Sequence, residues 1–100
     1  MEYREAELGR VVLSKAGRDW GRYFIIVGIV DDHYVLVADG SLRKINKPKK
    51  KKLKHVSVQN ELISTLRAKI IGGIPVTDVE IRNVLESIKK TEIIPTVRRS

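Results

Sequence analysis

With 100 residues, the chain is long enough for one small domain with a modest hydrophobic core, which leaves little room for an enclosed active site. Its net charge is +8 and it has no cysteine, which excludes a disulfide framework, cysteine zinc sites and thiol catalysis and fits a cytoplasmic protein. The longest apolar run, YFIIVGIV, is too short to span a bilayer, and the start MEYREAEL is unlike a targeting peptide, so we expect no membrane partner.

The first half of the chain predicts five short strands, because runs of β-branched and apolar residues are separated by turn residues. The predicted strands cover residues 8–14, 23–30, 33–38, 41–45 and 52–58. Between the third and the fourth, Asp39-Gly40 predicts a two-residue hairpin, since a type I′ turn needs positive φ at both central positions and glycine adopts it without strain. Strands spaced this closely indicate a small barrel.

The second predicted strand has two apolar faces, and the pattern does not decide which of them belongs to the core. One face carries Phe24, Ile26 and Val30, and the other carries Tyr23, Ile25, Val27 and Ile29. Because successive side chains of a strand point to opposite faces, only one set is expected in the core of a half-buried sheet.

The second half predicts two helices that pack on each other and on the barrel. NELISTLRAKI, residues 60–70, has apolar residues at helical spacing and is followed by Gly72-Gly73 as a stop, and Thr77 to Glu80 forms a capping-box pattern. The expected buried stripe of the second helix is Val79, Val84, Leu85 and Ile88. We therefore expect residues 1–58 to form the barrel and residues 59–100 to form a helical extension that ends in a short basic tail, PTVRRS.

A tract of basic residues without any acidic residue carries as many positive charges as the whole net charge. It contains Arg43, Lys44, Lys47, Lys49, Lys50, Lys51, Lys52 and Lys54. Lysines commonly protect an edge strand from aggregation, but so many on one short edge repel one another unless a polyanion binds. Phosphate backbone is the commonest such partner, whereas an anionic membrane would require an amphipathic helix that the neighbouring sequence lacks.

The connection SKAGRDWGRYF, residues 14–24, combines glycines, basic residues and aromatics in one turn. Gly17 and Gly21 allow positive φ and a close approach of a nucleic-acid backbone, and the basic residues of the connection offer phosphate donors. Trp20 has two possible roles: it stacks on an unpaired base, or it folds back over the end of the barrel or over the helices.

The stretch GRVVLSKAGRDWGRYFIIVGIVDDHYVLVADG resembles the KOW motif of ribosomal and transcription-elongation proteins, in its two apolar strands and the basic, glycine-containing loop between them. The continuation SLRKINKPKKKKLKHV extends the similarity to eukaryotic-type large-subunit KOW proteins and their small bacterial relatives. The resemblance implies a mainly β fold, a small SH3-like five-stranded barrel of KOW type, here with a C-terminal two-helix extension. It also implies that the RNA-facing loop contains Lys15, Gly17, Arg18, Gly21 and Arg22.

Catalysis has little support, because His33 and His55 lack a nucleophile motif and Asp31-Asp32 is typical of a turn. We expect no enzymatic activity, metal, cofactor or small-molecule substrate. The expected partner is structured RNA, above all ribosomal RNA or a ribosome-assembly intermediate, with ribosomal proteins as further partners. The alternatives are a protein-interaction module that docks on ribosomal or transcription machinery through its helices, and a DNA-binding protein.

Overall fold

The computed structural model describes residues 6–99 of the chain, and the side chains of residues 6–89. The basic tail expected at the C-terminus lies outside the described side chains. The strands are β1 (Arg10–Ser14), β2 (Tyr23–Ile29), β3 (Tyr34–Ala38), β4 (Lys49–Lys52) and β5 (Val56–Leu62), with short 3₁₀ turns at Gly17–Asp19 and Leu53–His55. The helices are α1 (Ser64–Gly72) and α2 (Asp78–Arg99).

The five strands form one antiparallel sheet in the order β4-β3-β2-β1-β5. The 3₁₀ turn between β4 and β5 connects the two ends of this sheet. The amide of Leu53 donates to the carbonyl of His33 before β3, and the amide of Lys15 after β1 donates to the carbonyl of His55, both at 2.8 Å. The fold is therefore mainly β, a small five-stranded barrel with a two-helix C-terminal part, as predicted.

Both faces of β2 are buried over residues 24–26, which resolves the two alternatives for this strand. Phe24 and Ile26 belong to the interior cluster, together with buried valines of β1, β3 and β5. Ile25 belongs to the opposite cluster, in which the sheet packs against Leu66 of α1 and Ile81 of α2. The expectation of a single core face was wrong because the two helices cover the outer face of the sheet.

The predicted hairpin at Asp39-Gly40 was wrong. Residues 41–48 form a loop, and the strand that pairs with β3 is β4, in register from Val37 opposite Lys49 to Tyr34 opposite Lys52. The Asp39 carboxylate closes the loop locally, because its Oδ1 accepts from the amides of Ser41 at 3.0 Å and of Arg43 at 2.8 Å. The backbone adds to this closure, since the amides of Asp39 and Gly40 donate to the Arg43 carbonyl at 2.8 Å and 3.1 Å, and the result is a local turn rather than a hairpin of two strands.

The first predicted helix begins later than expected. β5 continues past residue 58 to Leu62, which pairs with Arg10 of β1, so α1 begins only at Ser64. The predicted stop is correct, since Gly73 has a φ of +74° and ends α1. Over a few residues, the same apolar pattern fits a strand or a helix. Residues 60–62 are in a strand because β5, to which they belong, pairs with β1.

The capping box at the start of α2 is confirmed. The amide of Glu80 donates to Thr77 Oγ1 at 3.2 Å, and the amide of Thr77 donates to Glu80 Oε1 at 3.5 Å. The buried stripe begins at Ile81, which is fully buried, whereas Val79 is 53% exposed and was wrongly placed in it. Across the described residues, neither helix is long and apolar enough to cross a membrane.

Candidate nucleic-acid interface

The loop between β1 and β2 presents its aromatic side chain to solvent. Gly17 and Gly21 have φ of +72° and +84°, and open space surrounds the position that a Cβ would occupy on either of them. These glycines are therefore required by the backbone conformation rather than by packing. Between them, Trp20 is 72% exposed, so it does not fold back over the barrel or the helices.

Two reciprocal ion pairs connect the β1–β2 loop to the β3–β4 loop. Asp19 of the first loop binds Arg43 of the second, with Nη2 and Oδ2 at 3.2 Å. Arg22 at the end of the first loop binds Asp39 at the start of the second, with Nη2 and Oδ2 at 3.0 Å. Both carboxylates are almost fully buried, so the two arginines serve first to hold the loops together.

Lys51 differs from the other lysines of the basic tract because its side chain is buried inside the barrel. It lies opposite Val35 on the interior face of the sheet. Its Nζ lies 3.4 Å from Asp19 Oδ2, donates to Ser14 Oγ at 3.0 Å and is 5.9 Å from the centroid of the Phe24 ring. The ammonium of Lys51 is therefore engaged by internal partners, although Lys51 also lines the groove between the β1–β2 loop and β4.

Eight cations of the predicted site are exposed, and we call them the cationic face. They are Lys15, Arg18, Lys44, Lys47, Lys49, Lys50, Lys52 and Lys54. Part of this face surrounds an open groove of about 380 Å³, to which the β1–β2 loop contributes Gly17 and Arg18 and β4 contributes its lysines. The fold thus brings two separate basic segments of the sequence to one groove.

Aromatic and imidazole side chains also line this groove. Tyr34 and His55 are among its lining residues, and Lys50 Nζ lies 4.7 Å above the centroid of the Tyr34 ring. Of the other predicted site residues, Arg43 also lines the groove, and Lys54 lines a neighbouring one with Lys52. The predicted residues outside both grooves are Lys15, Trp20, Gly21, Arg22, Lys44 and Lys47.

Sequence reasoning missed the two aspartates that organise this region. Asp19 is the acidic residue within a loop of basic residues, and Asp39 was assigned only to a turn. The pKa of Asp39 shows how it is held: burial alone would raise it, but hydrogen bonds from the Arg43 and Ser41 amides and from the Arg22 side chain lower it below the usual value. An isolated acid in a basic segment is the signal that could have indicated a buried partner.

The described residues around the groove do not form a metal-binding cluster. Asp31 acts as a turn residue, because its Oδ1 accepts from the amides of His33 at 2.8 Å and Tyr34 at 2.9 Å. In the part of the chain that the structure describes, no three His, Asp or Glu side chains come together as a metal site would require. The chemistry available here is the binding of anions and the stacking of planar groups.

Comparison with known proteins relates the chain to large-subunit ribosomal proteins. It is 34% identical over 85 residues to "Large ribosomal subunit protein eL14" of Desulfurococcus amylolyticus, which covers 78% of this chain and 88% of that protein. It is 31% identical over 61 residues to the protein of the same name in Staphylothermus marinus, which covers 61% of this chain and 64% of that protein. No protein-family profile matches the chain.

Proposed function

The chain belongs to the eL14 family of large ribosomal subunit proteins, and from that premise we propose that it binds structured ribosomal RNA, or a ribosome-assembly intermediate, through phosphate contacts from the cationic face. It would do so as a component or partner of the cytoplasmic large subunit. The single observation that carries this proposal is the groove between the β1–β2 loop and β4, which gathers cations from two distant segments.

The distribution of charge supports a polyanion rather than a merely solvated edge. β4 is an edge strand, and three of its four residues are exposed lysines. The two buried aspartates are committed to Lys51, Arg43 and Arg22, so they do not neutralise the cationic face. Like charges at this density repel one another, and phosphates would relieve that repulsion while releasing counterions.

The proposed mode of recognition is shape and charge rather than base sequence. Lysine ammonium groups supply charge without the forked geometry that reads guanine edges, and Arg18 supplies the exposed guanidinium beside the groove. Trp20 extends the site beyond phosphates, because an exposed indole next to cations can stack on an unpaired base. Gly17 and Gly21 leave the loop backbone accessible to the RNA.

Salt dependence of RNA binding tests this proposal directly. Binding of the purified protein to large-subunit RNA should weaken by about 0.7 to 0.9 log units per phosphate contact for each log unit of salt. In a sucrose gradient of cell lysate, the native protein should travel with large subunits or their precursors at low salt and leave them at high salt. Affinity for RNA that is insensitive to salt, or a protein that stays at the top of the gradient at low salt, would overturn the proposal, and tighter binding to duplex DNA would favour the DNA alternative.

A second candidate function, contact with another protein of the large subunit, is supported by the turn between α1 and α2. Ile71, Ile74 and Val79 are each more than half exposed there. No Lys or Arg occurs between residues 70 and 81, so this surface is unsuited to phosphate. We propose that the barrel binds RNA and that the helical extension contacts protein. Replacing Ile71 and Ile74 with Ser should then weaken association with large subunits and leave binding to naked RNA unchanged.

A further inference from the structure

We propose that Asp19 is the positioning residue of the RNA site: its buried carboxylate holds the β1–β2 loop against β4, so that Lys15 and Arg18 engage the same RNA as the lysines of β4. This inference deepens the proposed function and rests on it. Asp19 lines the groove, but its side chain is only 4% exposed and is paired with Arg43 and Lys51, so we assign it a positioning role rather than a direct RNA contact.

The contacts of Asp19 join three segments at one carboxylate oxygen. Oδ2 lies 3.2 Å from Nη2 of Arg43, in the β3–β4 loop, and 3.4 Å from Nζ of Lys51, in β4. Ser14 completes the environment of Lys51, since its Oγ accepts from Nζ at 3.0 Å. The residues on either side of Asp19 in sequence are Arg18 and Trp20, both exposed members of the proposed site. Holding Asp19 therefore fixes where its two neighbours lie.

The loop needs such an anchor because its own sequence does not hold it against β4. Open space surrounds the Cβ positions of its two glycines. Apart from the Lys15 amide, which donates to the His55 carbonyl at 2.8 Å at the start of the loop, its backbone hydrogen bonds are local, such as that from the Trp20 amide to the Gly17 carbonyl. A glycine-containing turn with little apolar packing is mobile unless polar contacts fix it. Preorganised cations bind an RNA backbone better than mobile ones, since less freedom is lost on binding.

The proposal makes a prediction opposite in sign to simple charge counting. Replacing Asp19 with Asn adds one positive charge to the net +8, which by itself should strengthen binding to a polyanion. If the carboxylate positions the loop, the same substitution weakens binding. Asp19→Asn alone would also leave the Lys51 ammonium buried without its counter-charge, so this variant could fail to fold.

The test therefore uses the double variant Asp19→Asn/Lys51→Met, which removes the buried ammonium together with its counter-charge, so that only the partly exposed Arg43 loses an ionic partner. Replacing a buried ion pair with well-packed hydrophobic residues of similar volume is often neutral for stability, and Lys51→Met supplies such a residue for the cation. Circular dichroism and urea unfolding would establish that the variant is folded. Lys51→Met alone is the core control, because Asp19 then keeps Arg43. The double variant leaves the net charge unchanged, so its charge-matched control is Asp32→Asn/Lys89→Met, which makes the same two replacements at exposed positions.

We expect the double variant to bind large-subunit RNA on the order of tenfold more weakly than the native protein, with a salt dependence shallower by about two phosphate contacts. Lys15→Ala/Arg18→Ala should weaken the native protein by a similar factor and have little further effect in the double variant. Both control variants should bind large-subunit RNA with close to native affinity. Native affinity and native salt dependence in the folded double variant would overturn the role of Asp19, whereas salt-insensitive binding by the native protein would overturn the proposed function instead.

Discussion

Arg22 and Asp39 form an ion pair where the β1–β2 and β3–β4 loops meet, with the guanidinium 3.0 Å from a carboxylate that is 6% exposed. The same carboxylate accepts from the amides of Ser41 and Arg43, so one side chain shapes the β3–β4 loop and also binds the end of the β1–β2 loop. All of these contacts favour the ionised form of Asp39 and require it.

Acidic pH should therefore weaken the contact between the β1–β2 and β3–β4 loops that Asp39 makes with Arg22. The pKa of Asp39 is lowered below its usual value of 3.8 in the folded protein, because hydrogen bonds from the Arg43 and Ser41 amides and from Arg22 outweigh the effect of burial. A lowered folded-state pKa contributes stability that is fully present above the unfolded-state value and is lost as the pH falls through the folded-state value. Asp39→Asn should make the free energy of unfolding fall less steeply with pH below about 4. Urea unfolding at a series of acidic pH values measures this, and identical profiles for the variant and the native protein would contradict it.

The exposed lysines of β4 should dominate RNA affinity. Lys50→Glu/Lys52→Glu reverses two charges at the groove without touching the core, so we expect most binding to large-subunit RNA to disappear while the unfolding transition stays close to that of the native protein. Filter binding at several salt concentrations measures the loss.

Two matched variants separate the effect of a lysine's position on RNA affinity from the effect of the protein's net charge. Lys52→Glu and Lys89→Glu make the same change at exposed lysines, but Lys89 lies on α2, outside the cationic face. We expect the first variant to lose much more RNA affinity than the second. Equal losses would mean that net charge alone governs binding and that the groove is not the site.

The exposed indole of Trp20 should contribute by stacking rather than by charge. Trp20→Ala is expected to weaken RNA binding by about 1 to 3 kcal/mol while leaving the slope of affinity against salt unchanged. Because Trp20 is 72% exposed, its removal should have little effect on the unfolding free energy. Ile71→Ala, at an apolar residue that is 61% exposed on the helical side, is the control and should retain native RNA affinity. Native affinity for RNA in Trp20→Ala would remove Trp20 from the proposed site.

The sequence was informative wherever the structure depends on neighbouring residues in the chain. The apolar run of β2, the stop at Gly73 and the capping box at Thr77 are local features, and each is found as predicted. The failures concern competition between distant partners. β5 takes residues with helical spacing because β1 offers them hydrogen bonds, and the Asp39 side chain closes a loop where the dipeptide predicted a hairpin.

In the candidate site, too, the local features could be predicted from the sequence and the contacts between distant residues could not. A run of lysines is visible in the sequence, and so is the glycine-containing loop, but the assignment of one lysine to the core is not. Lys51 is buried because its register on β4 turns it inward and because Asp19, far away in sequence, supplies the counter-charge. Neither fact can be obtained from the composition of the tract, in which all the lysines look equivalent.

Substitutions at Gly40 and Gly17 separate the cost of close packing from the cost of backbone strain, because both glycines have positive φ but only Gly40 is closely packed. Both have positive φ, +77° and +72°. A Cβ on Gly40 would overlap the carbonyl oxygen of Asp78 at the start of α2 and approach Arg82 Cγ to 3.0 Å, whereas a Cβ on Gly17 would meet nothing within 4 Å. Gly17→Ala should therefore cost only the strain of the left-handed conformation, about 1 kcal/mol of unfolding free energy.

Gly40→Ala should cost more, about 3 kcal/mol, because the start of α2 must also move away from the barrel. That displacement would disturb two contacts, the donation from Arg82 to the Gly40 carbonyl and the donation from the Ile45 amide to Asp78. Urea unfolding of both variants measures the difference. Equal losses of stability would show that α2 does not depend on this close approach, and a larger loss for Gly17→Ala would mean that the β1–β2 loop, rather than the junction with α2, is the more constrained part of the barrel.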